Sequence, residues 1–218
     1  MQFLDLHTHQ EGKEDGVRRI LSLSLTRGMQ FALPEDQELS LGLHPWFATI
    51  EHLEEDYSRL AEAVKETRVK LIGECGLDRL KGESLENQLI ILRKQLKLAN
   101  ELHKPVILHC VRCFEELMAL QKEMKVSVPL IIHGFNKDEE LGRKLLEKGF
   151  YLSFGKAIMH ANSGPADLLK HIDMFFLETD AADCSIQEIY QAAANLKNTT
   201  VEEMKALIFA NWKKIMLI

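Results

Sequence analysis

His7 and His9 stand two residues apart in Leu4-Asp5-Leu6-His7-Thr8-His9. On an extended chain, residues i and i+2 project from one face, so both imidazoles can reach a single ion. An H-x-H motif alone is weak evidence in a chain with nine histidines. Four more such residues follow short apolar runs: Glu74 after Leu71-Ile72-Gly73, His109 after Val106-Ile107-Leu108, His133 after Leu130-Ile131-Ile132, and Asp180 after Phe175-Phe176-Leu177-Glu178-Thr179. Gathered without counter-ions, four imidazoles and two carboxylates would be costly, because neighbouring carboxylates repel and buried unpaired charge is penalised by several kcal/mol. Divalent cations remove both penalties. His7, His9, Glu74, His109, His133 and Asp180 are therefore the candidate metal ligands, and the chemistry they suit is metal-assisted hydrolysis.

Such distant residues meet only if the fold brings their strands together. Eight runs read as strands by length and by β-branched or aromatic content: Phe3–His7, Arg19–Ser24, Leu39–Leu43, Lys70–Glu74, Pro105–His109, Leu130–His133, Phe150–Phe154 and Met174–Thr179. Helical periodicity fills most intervals. One helix starts near Ser84, repeats through Leu89, Leu92, Leu96 and Ala99, and ends around His103 before Lys104-Pro105. Another runs from Asp138 to Gly149, and two more, Ile186–Leu196 and Thr200–Met216, close the chain. The second of these opens on a capping-box pattern of Thr199 or Thr200 with Glu202 or Glu203.

Strand–helix alternation repeated eight times predicts an α/β chain, a (β/α)8 TIM-type barrel forming one domain over residues 1–218. The first two βα units are abridged, with room for loops or single turns only. In a TIM barrel the C-terminal strand ends form the rim that carries the active site, and all six candidate ligands fall at such ends.

The remaining histidines serve as a contrast. His52, His103, His160 and His171 fall in helices or loops and read as surface residues. His44, in Gly42-Leu43-His44-Pro45-Trp46, follows a strand and is a candidate substrate contact, as is Arg112 just past His109, whose guanidinium suits a phosphate. Cys110 and Cys113 form a C-x-x-C, but the thioredoxin-like context that would make it a redox motif is missing. A net charge of −6 argues against dense, sequence-independent binding of nucleic acid, yet leaves room for a phosphodiester at a local cationic site. No apolar run approaches the roughly 20 residues that cross a bilayer, and the N-terminus lacks a secretory pattern. The expectation is a cytoplasmic protein with no membrane association and no obligate protein partner.

The motifs together resemble the TatD-like deoxyribonucleases, a branch of the amidohydrolase-like metal-dependent barrels. The resemblance rests on Leu4-Asp5-Leu6-His7-Thr8-His9, Gly42-Leu43-His44-Pro45, Ile72-Gly73-Glu74 with Gly76-Leu77-Asp78, Pro105-Val106-Ile107-Leu108-His109, His133-Gly134-Phe135 and Leu177-Glu178-Thr179-Asp180, with Asn211 in the closing helix. It implies an exonuclease that removes nucleotides from DNA ends, with DNA or an oligonucleotide as a transient partner and two divalent ions (Mg, Mn or Zn). By the resemblance, His7, His9 and Asp180 hold one ion, His109 and His133 the other, and Glu74 bridges them. Glu74 and Asp180 are then the catalytic carboxylates, with Asp180 orienting or deprotonating the attacking water. The chain departs from the family pattern at Arg79, Val111 and Ala182, and in a short segment between His9 and Gly42. The same ligands would serve hydrolysis of an amide, lactone or phosphotriester, or metal binding without appreciable catalysis.

Overall fold

A computed structural model describes residues 1–26, 34 and 36–218. Its strands are Phe3–Thr8 (β1), Val17–Ser24 (β2), Glu38–Gly42 (β3), Val69–Asp78 (β4), Val106–Val111 (β5), Leu130–Ile132 (β6), Phe150–Phe154 (β7) and Phe176–Leu177 (β8). They follow chain order in the sheet, as a succession of parallel βα units requires. Each overlaps its expected run. The helices are Leu53–Ala63 (α1), Leu85–Leu102 (α2), Phe114–Met124 (α3), Glu139–Glu147 (α4), Gly164–Lys170 (α5), Ile186–Leu196 (α6) and Val201–Lys214 (α7), with a 3-10 turn at Lys156–Met159. No helix among the described residues is long and apolar enough to cross a membrane.

The helix ends form where local chemistry dictates. Ser84 caps α2 by accepting from the Asn87 amide, and His103 closes it in the left-handed conformation. Asp138 caps α4 through the Leu141 amide, and Gly149 follows that helix with φ +85°. Ser185 with Glu188 and Thr200 with Glu203 complete capping boxes on α6 and α7. No helix intervenes between β1 and β2, as the short spacing predicts. The second lean connection, between β2 and β3, falls largely on residues 27–33 and 35, outside the described residues.

One correction concerns β4. Glu74 was expected to end it, but the strand continues to Asp78. The pairing of β4 with β5 shifts register between Ile72 and Cys75, where Gly73 adopts φ +126°. A Cβ on Gly73 would stand 2.3 Å from the Ile107 carbonyl oxygen, so the bulge requires glycine. Residues beyond the bulge resume pairing, with Gly76 opposite His109.

The chain forms two compact units, Ser22–Ile131 and Met1–Leu21 with Ile132–Ile218. In the first, β4 lies between β3 and β5, and Leu39, Leu41, Leu71, Ile72, Val106, Ile107 and Leu108 are fully buried. Such unbroken apolar runs are what a parallel strand covered on both faces needs. Helix α2 adds Leu92, Leu96 and Ala99, while its buried Gln95 bonds the Leu43 amide and carbonyl at 2.7 and 3.1 Å. Those two bonds fix the strand exit that leads to His44.

In the second unit, β1 pairs with β2 and β7 with β8, and Thr8 bridges to Asp180. The Tyr190 hydroxyl on α6 bonds both the amide and the carbonyl of Leu4, and Trp212 on α7 is fully buried. Asn211 donates to the carbonyls of Asp173 and Phe175, fastening the approach to β8.

Asp5, buried in this unit, accepts from the Thr179 amide at 2.9 Å and the Thr179 hydroxyl at 2.7 Å. Burial pushes its carboxyl up to about 7, against the lowering effect of those bonds. The folded state therefore binds this proton more tightly than the unfolded chain. Its contribution is fully present below pH ~4 and is lost as pH rises through about 7. Metal-free protein is expected to lose of order 2–4 kcal/mol of stability across that window, and Asp5→Asn to flatten the slope. Urea melts of both proteins at pH 5 and pH 8 measure it; parallel slopes would refute the assignment.

Candidate metal centre

Each unit carries one cluster of candidate ligands. In Ser22–Ile131 the cluster is His44, Glu74 and His109, whose ligand atoms all lie within 4.8 Å of one another and are buried. Glu74 projects from the bulged stretch of β4 and His109 from β5. Glu74 Oε1 is 3.0 Å from His44 Nε2 and 2.9 Å from His109 Nδ1. The other nitrogen of His109, Nε2, lies 2.9 Å from Asp78 Oδ2. This arrangement lets Nδ1 turn a lone pair toward a cation beside Glu74 while Nε2–H stays bonded to a carboxylate.

Sequence reasoning did not single out Asp78. Its carboxylate receives the Trp46 indole N–H at 2.6 Å and the Leu80 amide at 2.8 Å as well as His109. Burial pushes that carboxyl up, but the bonds from Trp46, His109 and Leu80 outweigh it and hold it below the ordinary range. The one sequence signal was its place in Gly76-Leu77-Asp78, at the end of β4. Asp78→Asn is expected to weaken Mn binding about 10–100-fold, the usual cost of losing a carboxylate behind a ligating histidine. Calorimetric titration checks it, and unchanged affinity would remove Asp78 from the centre.

His44 differs from His109. Its Nδ1 accepts the Trp46 amide at 3.1 Å, so the neutral ring carries its proton on Nε2. A ring whose lone pair is already engaged suits hydrogen-bond donation better than ligation. Arg112, the other expected substrate contact, follows β5 as an exposed residue at φ +56°.

In the second unit His7, His133 and Asp180 bring ligand atoms within 4.8 Å of one another. The His7 ring lies 4.4 Å from that of His133 and 5.1 Å from that of His9, centroid to centroid. Asp180 Oδ1 stands 3.7 Å from His7 Nε2 and 3.5 Å from His9 Nε2. Backbone bonds hold this corner: the Asp180 amide donates to the His7 carbonyl, and the His9 amide donates to the Asp180 carbonyl. The geometry puts His133 beside His7 and Asp180.

Glu178 is the second residue that sequence reading passed over. It is fully buried, accepts the Gly134 amide at 2.6 Å and stands 3.4 Å from His133 Nδ1. Burial raises its carboxyl, but the His133 hydrogen bond and the charges of His133 and His7 prevail and hold it low. A buried carboxylate behind an imidazole is the support expected of a ligating histidine. The remaining histidines do not join these clusters: His52 and His103 cap helices, and His160 and His171 are exposed. Burial pushes the Cys110 thiol up to about 12, and Cys110 falls in none of these clusters.

Histidine–carboxylate sets with carboxylates behind them fit divalent metal by their donor chemistry. Residues 9–216 match the family model described as TatD related DNase. This chain belongs to that family. It is 28% identical to the uncharacterized metal-dependent hydrolase YabD of Bacillus subtilis (strain 168), over 96% of this chain and 91% of YabD. The solved structure of YJJV, a TatD homolog from Escherichia coli K12, superposes with a TM-score of 0.82 at 22% identity, covering 99% of this chain and 98% of that one. An uncharacterized amidohydrolase from Saccharomyces cerevisiae gives 0.76 at 14% identity, with 99% of each chain covered. The fold is thus the TIM-type barrel that the strand–helix alternation predicts. The chain is a metal-dependent hydrolase of the TatD family.

Proposed function

We propose that this TatD-family chain hydrolyses phosphodiester bonds at DNA ends, with His7, His9, Glu74, His109, His133 and Asp180 as the ligands of two divalent ions. The observation that carries the reading is the pair of histidine–carboxylate clusters, each with a further carboxylate, Asp78 or Glu178, behind one of its imidazoles. Bound ions supply Lewis acidity toward phosphoryl oxygens and lower the pKa of a water toward neutrality. The protein's own groups do the rest. Asp180 accepts the proton of the attacking water as its oxygen bonds to phosphorus and the P–O bond to the leaving oxygen breaks. His44, whose Nε2–H meets Glu74 Oε1 at 3.0 Å, holds that carboxylate in place, and Arg112 receives a phosphoryl oxygen. Glu74 supplies the carboxylate of its own cluster, beside His44 and His109. The family model's own description, TatD related DNase, favours this bond over others.

The competing reading keeps the ligands and changes the bond to an amide, lactone or phosphotriester. The amidohydrolase description of the Saccharomyces cerevisiae structure favours it. The two separate cleanly. End-labelled oligonucleotides and chromogenic ester and lactone substrates are incubated with protein stripped by chelator and then reloaded with Mg or Mn. Progressive shortening of the oligonucleotide, absent after stripping and restored on reloading, is the expected result. Turnover of only the small substrates would overturn the nuclease reading, and metal uptake without turnover would leave a metal-binding protein.

A further inference from the structure

Beside the His44–Glu74–His109 cluster the chain exposes an aromatic corner for which the chemistry above has no use. Trp46 and Phe47 are 39% and 49% exposed, and Leu80 nearby in the same network is 61% exposed. Scattered apolar residues at a surface need no explanation, but two adjacent aromatic rings at a reaction centre do. Neither ring is loosely held. The Trp46 indole N–H is committed to Asp78 at 2.6 Å, and the Phe47 amide donates to the His44 carbonyl at 3.0 Å. The His44 ring lies 5.0 Å from Trp46 and 5.3 Å from Phe47, and the two aromatic rings are 6.2 Å apart and nearly perpendicular. Lys81 sits on the Trp46 ring, with Nζ 3.9 Å from the centroid. Phe47 is left as the more exposed ring, with a cation held one residue away on its neighbour.

We propose that Phe47, backed by the Trp46–Lys81 pair, stacks the base adjoining the cleaved phosphodiester. The proposal rests on the phosphodiester reading above. Every base offers a π-face, and an aromatic ring joined to a cation holds single strands without reading their sequence. Because the backbone and Asp78 already fix the rings, little ordering is lost on binding. Charge also fits. A chain of net charge −6 needs local cations to receive phosphate, and Lys81, together with Arg112 past β5, supplies them in this unit.

The test uses metal-loaded full-length protein and two single-stranded oligonucleotides, identical except that one carries an abasic terminal residue. Wild type is expected to act on the complete strand about tenfold or more faster, in kcat/KM, than on the abasic one. Phe47→Leu, which keeps apolar bulk without a π-face, should bring that ratio near one, and Phe47→Tyr should restore it. A ratio unchanged in Phe47→Leu overturns the stacking role while leaving the hydrolase reading intact. Failure of wild type to cleave either strand sinks the nuclease reading instead. Stacking is then decided by fluorescence. Trp212 is fully buried, so quenching on addition of dTMP reports Trp46. Quenching by dTMP that base-free deoxyribose phosphate fails to reproduce, and that Phe47→Leu loses, supports the corner as a base platform; equal quenching by both overturns it. A dimer in sedimentation that dissociates in Phe47→Leu would make the corner a self-association surface and would also overturn the proposal.

Discussion

Asp180→Asn is expected to fold as the parent does and to lose hydrolytic turnover by about 10²–10⁴-fold, the range for removing a general base. The fold survives because the position asks for what asparagine readily gives. Asp180 sits at φ +52°, a left-handed conformation in which asparagine, with aspartate, is among the least penalised residues. Its backbone bonds with His7 and His9 do not involve the carboxylate. What changes is the side chain, which is 41% exposed and faces His7 and His9 at 3.7 and 3.5 Å. An amide neither accepts a proton from water at neutral pH nor offsets a cation's charge. Steady-state rates at saturating Mn, with thermal melts as the control for folding, measure the effect. Parent-like turnover with parent-like melting would refute the role given to Asp180.

The second large effect concerns the backbone rather than the chemistry. Gly76→Ala is expected to destabilise the protein by roughly 4 kcal/mol or more, enough to abolish soluble expression of a marginally stable chain. Gly76 adopts φ +149° in β4, where a side chain is strained. A Cβ there would stand 1.9 Å from the His109 carbonyl oxygen and 2.8 Å from its carbonyl carbon. Both obstacles are backbone atoms of the paired strand, so rotamer changes give no relief; β4 and β5 must separate, moving Glu74 and His109 apart. Gly12→Ala is the contrasting control. Gly12 also has positive φ, +97°, but nothing lies within 4 Å of the added methyl. Its expected cost is only the local strain of about 1–3 kcal/mol. Urea denaturation of the two variants compares them, and similar midpoints would show that β5 yields to the methyl group after all.

The eight strands were legible because buried parallel strands need short apolar runs, and the helices between them announce themselves by periodicity, caps and stops. Ser84, Thr200 and Gly149 mark their helix ends locally, without help from the rest of the chain. The six ligand candidates were legible because each closes, or follows closely, such a run. Asp78 and Glu178 were not. A carboxylate behind an imidazole has no periodicity of its own, and its role depends on a partner at a distance in sequence, His109 or His133. The extension of β4 past Glu74 was equally hidden, since it depends on a glycine bulge fitting against Ile107 and His109 of β5.

The sequence by itself determined the order of strands and helices, the barrel class and the residue types that can hold metal, because those follow from local pattern and side-chain chemistry. Tertiary structure alone decided which groups share a cluster: His133 with His7 and Asp180, and His44 with Glu74 and His109. It also decided that the His44 proton rests on Nε2 and that Trp46 and Phe47 flank that ring. These are matters of a few ångströms between residues tens of positions apart. Only the packing of one strand against the next, through glycines that let backbones touch, sets distances of that kind.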